Sequence, residues 1–287
     1  MYALVVIAVL GLLDTGHAAQ VALLAAATYM MTVLNSRHSL IRVFSRLVSS
    51  AFLALTLTMP SLLDSLWGGV SCLLFVTALV VLFGSYQNHH ATGTTFLVFA
   101  CLGVISLDFI QVAVYVPVLW LMMFTHLQAG SPKVLVASLL GLLLPYWFWF
   151  CYSLYDGNPM AIVDHVAVIA QTGNVAEGLF ATKLLLPLLL IATLGTAGCV
   201  HFISESHADS IKTRMFYNTL MTLFVFTLLL IVLQPQHSDR LMRLLLVCAA
   251  PLVAHLFTFA NSWMANIAFV GTIAATLTLT ILNGWIF

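Results

Sequence analysis

Charge is what this chain has least of. Nine Lys or Arg and nine Asp or Glu among 287 residues make 6% charged, against roughly 25% in a soluble domain. With 62% apolar residues as well, a water-soluble globule is excluded. The two signs cancel to zero formal charge, so no net field draws the chain to a polyanion and no nucleic-acid partner is expected. Catalytic signatures are also missing: there is no Walker A, GxSxG, GxGxxG or kinase set. Cysteine is sparse and scattered, at Cys72, Cys101, Cys151, Cys199 and Cys248. Without a CxxC or Cys/His spacing these residues predict neither a zinc site nor a disulfide framework, and no metal or other cofactor is expected. No repeat or low-complexity tract interrupts the chain, and residues 1–287 read as a single integral membrane domain.

What is present in abundance is long apolar sequence. Runs broken by polar residues predict spans near 1–13, 18–34, 48–63, 67–84, 94–108, 110–127, 134–153, 182–203, 215–233, 243–259 and 263–285. The first is shorter than the about 20 residues a crossing needs, and no basic stretch precedes it, which leaves the start at Met1 open. The fold class expected is all-α, a polytopic transmembrane bundle of about 10 or 11 spans.

Basic loops stay cytoplasmic, which orients the bundle. Arg37, Arg42 and Arg46 place the loop after the second run inside, and strict alternation adds Lys133, Lys212 and Arg214. Lys183, Arg240 and Arg243 then fall near the outer face, so the N-terminus is expected inside. Most carboxylates gather outside, with only Glu205 and Asp209 internal. The one long loop, 155–182, is external; its Asp156-Gly157-Asn158-Pro159 is a turn signal, followed by a mildly amphipathic Met160–Ala170 that predicts a short interfacial helix.

Few residues are candidates for chemistry. Asp108 interrupts a run longer than one helix needs, and its spacing puts it on one face with Gln111 and Tyr115 at the outer end of the 110–127 span. An ionisable residue so placed suggests function, and a solvated turn carboxylate at the interface is the plainer alternative. Asp14, in Asp14-Thr15-Gly16-His17, occupies the first external turn, either as a general base for an acceptor hydroxyl or as an ordinary turn residue. Arg240 and Arg243, one helical turn apart and against the positive-inside trend, suit one phosphate or diphosphate, or serve as interfacial anchors. The segment Ser36–Arg46 suits anionic lipid on the inner leaflet. His201, Glu205, His207 and Asp209 read as a wet helix end, and His126 and His255 need no special role. The aromatic run Tyr146–Tyr152 suits an interfacial belt or sugar stacking, while Gly195 and Gly198 suit close packing against a partner helix.

The segment from Thr94 to Tyr155, with SRHSLIRVFSRLVSS around Arg42 and the late APLVAHLFTFANSWMANIAF, is similar to multipass inner-membrane proteins of Bacteroidota. The order of helix, acidic turn, helix, small loop and Leu-Gly-Leu-Leu-Leu-Pro helix in the first of these also resembles the middle of the C superfamily of polyprenyl-phosphate-sugar-dependent glycosyltransferases. That second resemblance covers about a fifth of the chain. It implies a glycosyltransferase-C-like arrangement, a cytoplasmic N-terminus and a lipid-linked donor held in the outer half of the membrane. It also implies an acidic residue in the first external loop, where Asp14 is the only acid. The chain departs from the pattern in that this loop is a mere turn and the DxD-like acidic cluster is missing.

The expectation is a membrane protein of envelope glycan or lipid assembly that binds a polyprenyl-linked or other lipid substrate, with or without catalysis. Asp14 or Asp108 would activate the acceptor, Arg240 and Arg243 would neutralise the lipid phosphate, and Gln111 and Tyr115 would line the substrate site. The rivals are a structural subunit packed against another membrane protein and a transporter or flippase, which would need ionisable groups deep in several helices.

Overall fold

The computed structural model describes residues 18–157, 160–167, 184–260 and 263–285. Every regular element among them is helical. The helices are α1 (Ala18–His38), α2 (Leu47–Leu57), α3 (Leu66–Phe83), α4 (Thr92–Asp108), α5 (Tyr115–Thr125), α6 (Pro132–Tyr155), α7 (Ala161–Ala167), α8 (Leu185–Glu205), α9 (Ile211–Leu233), α10 (Ser238–Phe259) and α11 (Trp263–Trp285). Short 3-10 turns at Pro60–Leu63 and Ile110–Val114 follow α2 and α4.

Seven of these are long and apolar enough to cross a membrane: α1, α3, α6, α8, α9, α10 with the turn before it, and α11. The chain is therefore a multipass membrane protein in its helix content. The expectation of 10 or 11 spans is reduced at three places, where the apolar helices are shorter: Leu47–Leu57, Thr92–Asp108 and Ile110–Thr125. The run 48–63 fails as one helix because Pro60 follows Met59, whose backbone (φ −131°, ψ 78°) has left the helical region, as a residue before proline tends to. The turn Pro60–Leu63 then continues the path in tighter form. The run 1–13 lies outside the described residues.

Helix starts follow local chemistry. Ser131 caps α6 by accepting from the Val134 amide with Pro132 at the first position, and Ser210 caps α9 by accepting from the Thr213 amide. Hydroxyls within the apolar helices fold back on their own backbone, as Thr56 does to the Phe52 carbonyl and Thr227 to the Leu223 carbonyl. A polar group in lipid must be satisfied within the protein, and this is the nearest acceptor.

The chain divides into two compact units, 1–73 with 173–287 and 74–172, so that the cut falls within α3. In the first unit α10 is the central helix. Leu241, Leu245, Val247, Cys248, Ala249, Leu252 and Ala254 are all buried, and α2, α8 and α9 pack around it. Gly198 of α8 lies against the α10 backbone at Leu252, and Gly195 faces the Phe224 ring of α9. The small residues expected to meet a partner are thus occupied by helices of the same chain. Asn283 of α11 donates to the Thr58 carbonyl at 2.8 Å, beside a helix that is otherwise largely exposed and apolar.

In the second unit α4 and α6 run side by side in the same direction, with α5 returning between their sequence positions. Gly141 of α6 meets the α4 backbone at the Phe96 carbonyl and Ala100 amide, which is why the two helices approach closely. The Trp120 indole of α5 donates to Ser138 Oγ at 2.9 Å. At the start of the pair, Ser131 Oγ donates to the His89 carbonyl at 2.9 Å and the Gln87 amide to the Leu127 carbonyl at 2.8 Å. At the far end, the Tyr146 hydroxyl donates to Ser106 Oγ at 2.9 Å, and His165 Nε2 of α7 lies 2.9 Å from the Ser106 carbonyl. The seven-residue α7, with Val163 and Val166 exposed, stands where an interfacial helix was expected in the 155–182 loop. The aromatic end of α6 leaves Trp147, Phe148, Tyr152 and Tyr155 exposed, as a lipid-facing belt requires.

Candidate functional site

The most elaborate polar arrangement in the first unit lies where α1, α8, α9 and α10 end or begin. After α1 the chain makes a closed turn, which Asn35 builds: its Nδ2 donates to the Ser45 carbonyl at 2.9 Å, and its Oδ1 accepts from the Ile41 amide at 3.1 Å. Ser39 takes a left-handed backbone (φ 50°) to allow the reversal, and Leu40 and Ile41 bury themselves to fix it. The turn borders an open cavity of about 340 Å³ lined by Asn35, Ser36, Ser39, Arg42 and Arg46 among others. Beside it the Phe44 side chain projects with 91% of its surface exposed, and Val43 is exposed with it. Two cations, an amide and hydroxyls, all groups able to donate to an anion, line one hollow, and two exposed apolar side chains stand at its rim.

Arg42 also reaches inward. Its Nε lies 4.0 Å from Asp209 Oδ1 and its guanidinium carbon 4.4 Å from the centre of the Phe259 ring. The other oxygen of Asp209 lies 3.2 Å from Nε2 of His255, a ring only 1% exposed. The aromatic groups Phe202, Tyr217 and Phe259 surround that imidazole, with His201 at 5.7 Å between ring centres. Nδ1 of His255 is buried with no hydrogen-bond partner among the described residues. An arginine, a carboxylate and an imidazole therefore form one line from the cavity into the helix bundle.

The opposite end of the same unit holds Arg243. Although it sits in an apolar helix it is only 8% exposed, and its Nη2 donates to the Leu62 carbonyl at 2.8 Å. Its guanidinium lies over Gly68, where any side chain would displace it. A small cavity of about 30 Å³ adjoins it, lined by Gln20, Phe52, Thr56 and Cys72 with Gly68. Arg240, one turn earlier, is exposed. The two arginines expected to share a phosphate thus occupy different surroundings, one at the surface and one against a backbone carbonyl.

Of the other expected site residues, Asp14 lies outside the described residues. Asp108, Gln111 and Tyr115 belong to the second unit, and the single helix face expected for them is corrected by the backbone. Asp108 closes α4, Phe109 turns out of the helix (φ −134°, ψ 87°), Gln111 sits in the 3-10 turn and Tyr115 opens α5. Asp108 is half-buried, whereas Gln111 and Tyr115 are buried; Tyr115 packs edge-on against Phe75. The Gln111 Nε2 has no hydrogen-bond partner among the described residues.

Among the described residues no three His, Cys, Asp or Glu side chains converge as metal ligands would. Sequence reasoning passed over the Asp209–His255 contact, since the residues are 46 apart, Asp209 reads as part of a wet helix end and His255 reads as needing no special role. One signal was available: the alternation of spans puts Arg42, Asp209 and the end of α10 on the same side.

No family model matches the chain, and no curated protein or solved structure matches it either.

Proposed function

We infer that this multipass protein binds the phosphate of a membrane lipid, an anionic phospholipid or a polyprenyl-phosphate conjugate, as a component of envelope lipid or glycan assembly in a bacterial inner membrane. The observation that carries this reading is the cavity lined by Arg42 and Arg46 beside the exposed Phe44. A phosphate oxygen is a strong acceptor for guanidinium donors, and Phe44 with Val43 would hold the turn at the depth of a headgroup. On this reading the Arg42 end is cytoplasmic, by the excess of basic residues there, and the N-terminus lies inside. Taken unit by unit, Arg240 and Arg243 of the first are retained as outer-face candidates for a lipid phosphate, and Asp108, Gln111 and Tyr115 of the second as candidates of glycosyltransferase-C-like type, with Asp14 or Asp108 to serve an acceptor. The Arg42 cavity is the better-built of the two candidates for a phosphate, because its donors surround one hollow.

Native mass spectrometry of the protein extracted with its own lipids tests this. Retained phospholipid or polyprenyl phosphate, identified by mass, is expected to fall by about tenfold in Arg42→Ala/Arg46→Ala, the loss of two charge-assisted contacts, and to persist in Arg240→Ala. Loss in Arg240→Ala with retention in the double variant would move the site to the outer end. A stoichiometric polypeptide in place of lipid would favour the structural-subunit reading.

A further inference from the structure

We propose that Asp209 and His255 form a proton-binding site whose occupancy decides whether Arg42 is held by Asp209 or is available to an anionic headgroup. The proposal concerns the regulation of the Arg42–Arg46 cavity and rests on the lipid-phosphate reading of it. Asp209 is the shared element: one oxygen faces Arg42 Nε at 4.0 Å and the other faces His255 Nε2 at 3.2 Å. The Asp209 side chain is 4% exposed, whereas that of Arg42 is 49% exposed, so of the two the guanidinium is the group open to a ligand from outside.

With His255 neutral, the carboxylate draws the guanidinium inward as its counter-charge. A proton arriving at the His255 ring places a second cation on the same carboxylate, at hydrogen-bond distance. The Arg42–Asp209–His255 group then passes from zero to one net positive charge, and Arg42 is the member that an anion in the cavity can reach, because it lines that cavity. The groups facing His255 from each neighbouring element are Asp209 from the α8–α9 connection, His201 from α8, Tyr217 from α9 and, through Asp209, Arg42 from the α1–α2 turn. Around them stand Lys212 over the Phe216 ring and His38 against the same ring, while Arg46 lines the cavity. Asp209 is the one carboxylate in this set, and the only group in it that both cations address. Nδ1 of His255 is buried without a hydrogen-bond partner among the described residues, so the Asp209 contact is the ring's one hydrogen bond there.

Two measurements on the full-length protein in detergent test the proposal separately from the reading beneath it. Titration with short-chain phosphatidylglycerol, whose own charge is constant over the range, is expected to show binding at least about fivefold tighter at the acid end of about pH 5 to 8. His255→Gln should abolish that pH dependence, and Asp209→Asn should bind tightly at both ends. In parallel, the Nε resonance of Arg42 in isotope-labelled protein, assigned with Arg42→Lys, should titrate in the wild type and be flat in His255→Gln. Absence of phosphatidylglycerol binding at any pH, with the Arg42 resonance still titrating through His255, overturns the lipid reading and leaves the proton site standing. A flat Arg42 resonance in the wild type, or an unchanged pH dependence in His255→Gln, overturns the proton site itself. Should His255→Gln fold poorly, Asp209→Asn decides the same question: a pH dependence of headgroup binding that survives it refutes the proposal.

Discussion

Removing the Asp209 carboxylate takes away an acceptor that both Arg42 and the buried His255 ring face. A hydrogen bond to a charged group contributes about 2 kcal/mol, and a buried ring deprived of it does not regain water in exchange. Asp209→Ala should therefore lower stability in detergent by about 2 kcal/mol. Glu205→Ala, at an exposed position four residues earlier, should stay within about 0.5 kcal/mol of the wild type. Unfolding followed by circular dichroism measures both, and equal losses would mean that the contact adds nothing. Local reasoning on the sequence treats these two acids alike, since both follow a helix and precede a basic stretch. What separates them is which one the fold of the α8–α9 connection turns inward.

At the scale of the element, apolar runs in the sequence mark most helices to within a few residues. The pairs 134–153 and Pro132–Tyr155, 182–203 and Leu185–Glu205, and 263–285 and Trp263–Trp285 show the agreement. Such runs locate helices because lipid leaves the backbone no other way to satisfy its polar groups. They do not say which helix touches which. Gly141 and Gly271 are both glycines in apolar helices, yet a Cβ at Gly141 would collide with the α4 backbone and one at Gly271 would meet nothing. Gly141→Ala should cost about 2 kcal/mol by forcing α4 and α6 apart. Gly271→Ala should be neutral or stabilise α11 by up to about 1 kcal/mol through helix propensity. The contrast in melting temperature checks the packing, and similar shifts for both would show that α4 and α6 are not in backbone contact.

For the whole molecule, the first unit carries two polar ends. Arg42, Asp209 and His255 mark one, and Arg243 with the Leu62 carbonyl and Gly68 marks the other. Between Arg46 and Leu62 the chain passes from one of these ends to the other by way of the 11-residue α2 and the 3-10 turn after it. In a background without the native cysteines, Ser36→Cys and Asp239→Cys should react with a membrane-impermeant maleimide from opposite sides of the bilayer. Labelling of both from one side would overturn the spanning arrangement. On the lipid reading, Ser36→Cys is the one labelled from the cytoplasm.

The sequence alone determined that this is an all-helical membrane protein, because so few charges and so much apolar surface leave no aqueous fold available. It also marked the turn at Asp108, where one apolar run is too long for one helix, and the glycine of the turn signal, Gly157, which takes a positive φ of 77°. The tertiary structure decided which sparse polar groups meet. It placed Arg243 on the Leu62 carbonyl, 181 residues away, and Asp209 on His255, 46 residues away. Periodicity is a local property of the chain, whereas a contact between helix ends depends on how several helices pack. In a chain with so few charges, each such meeting depends on a single pair of residues, and no repeated pattern records it.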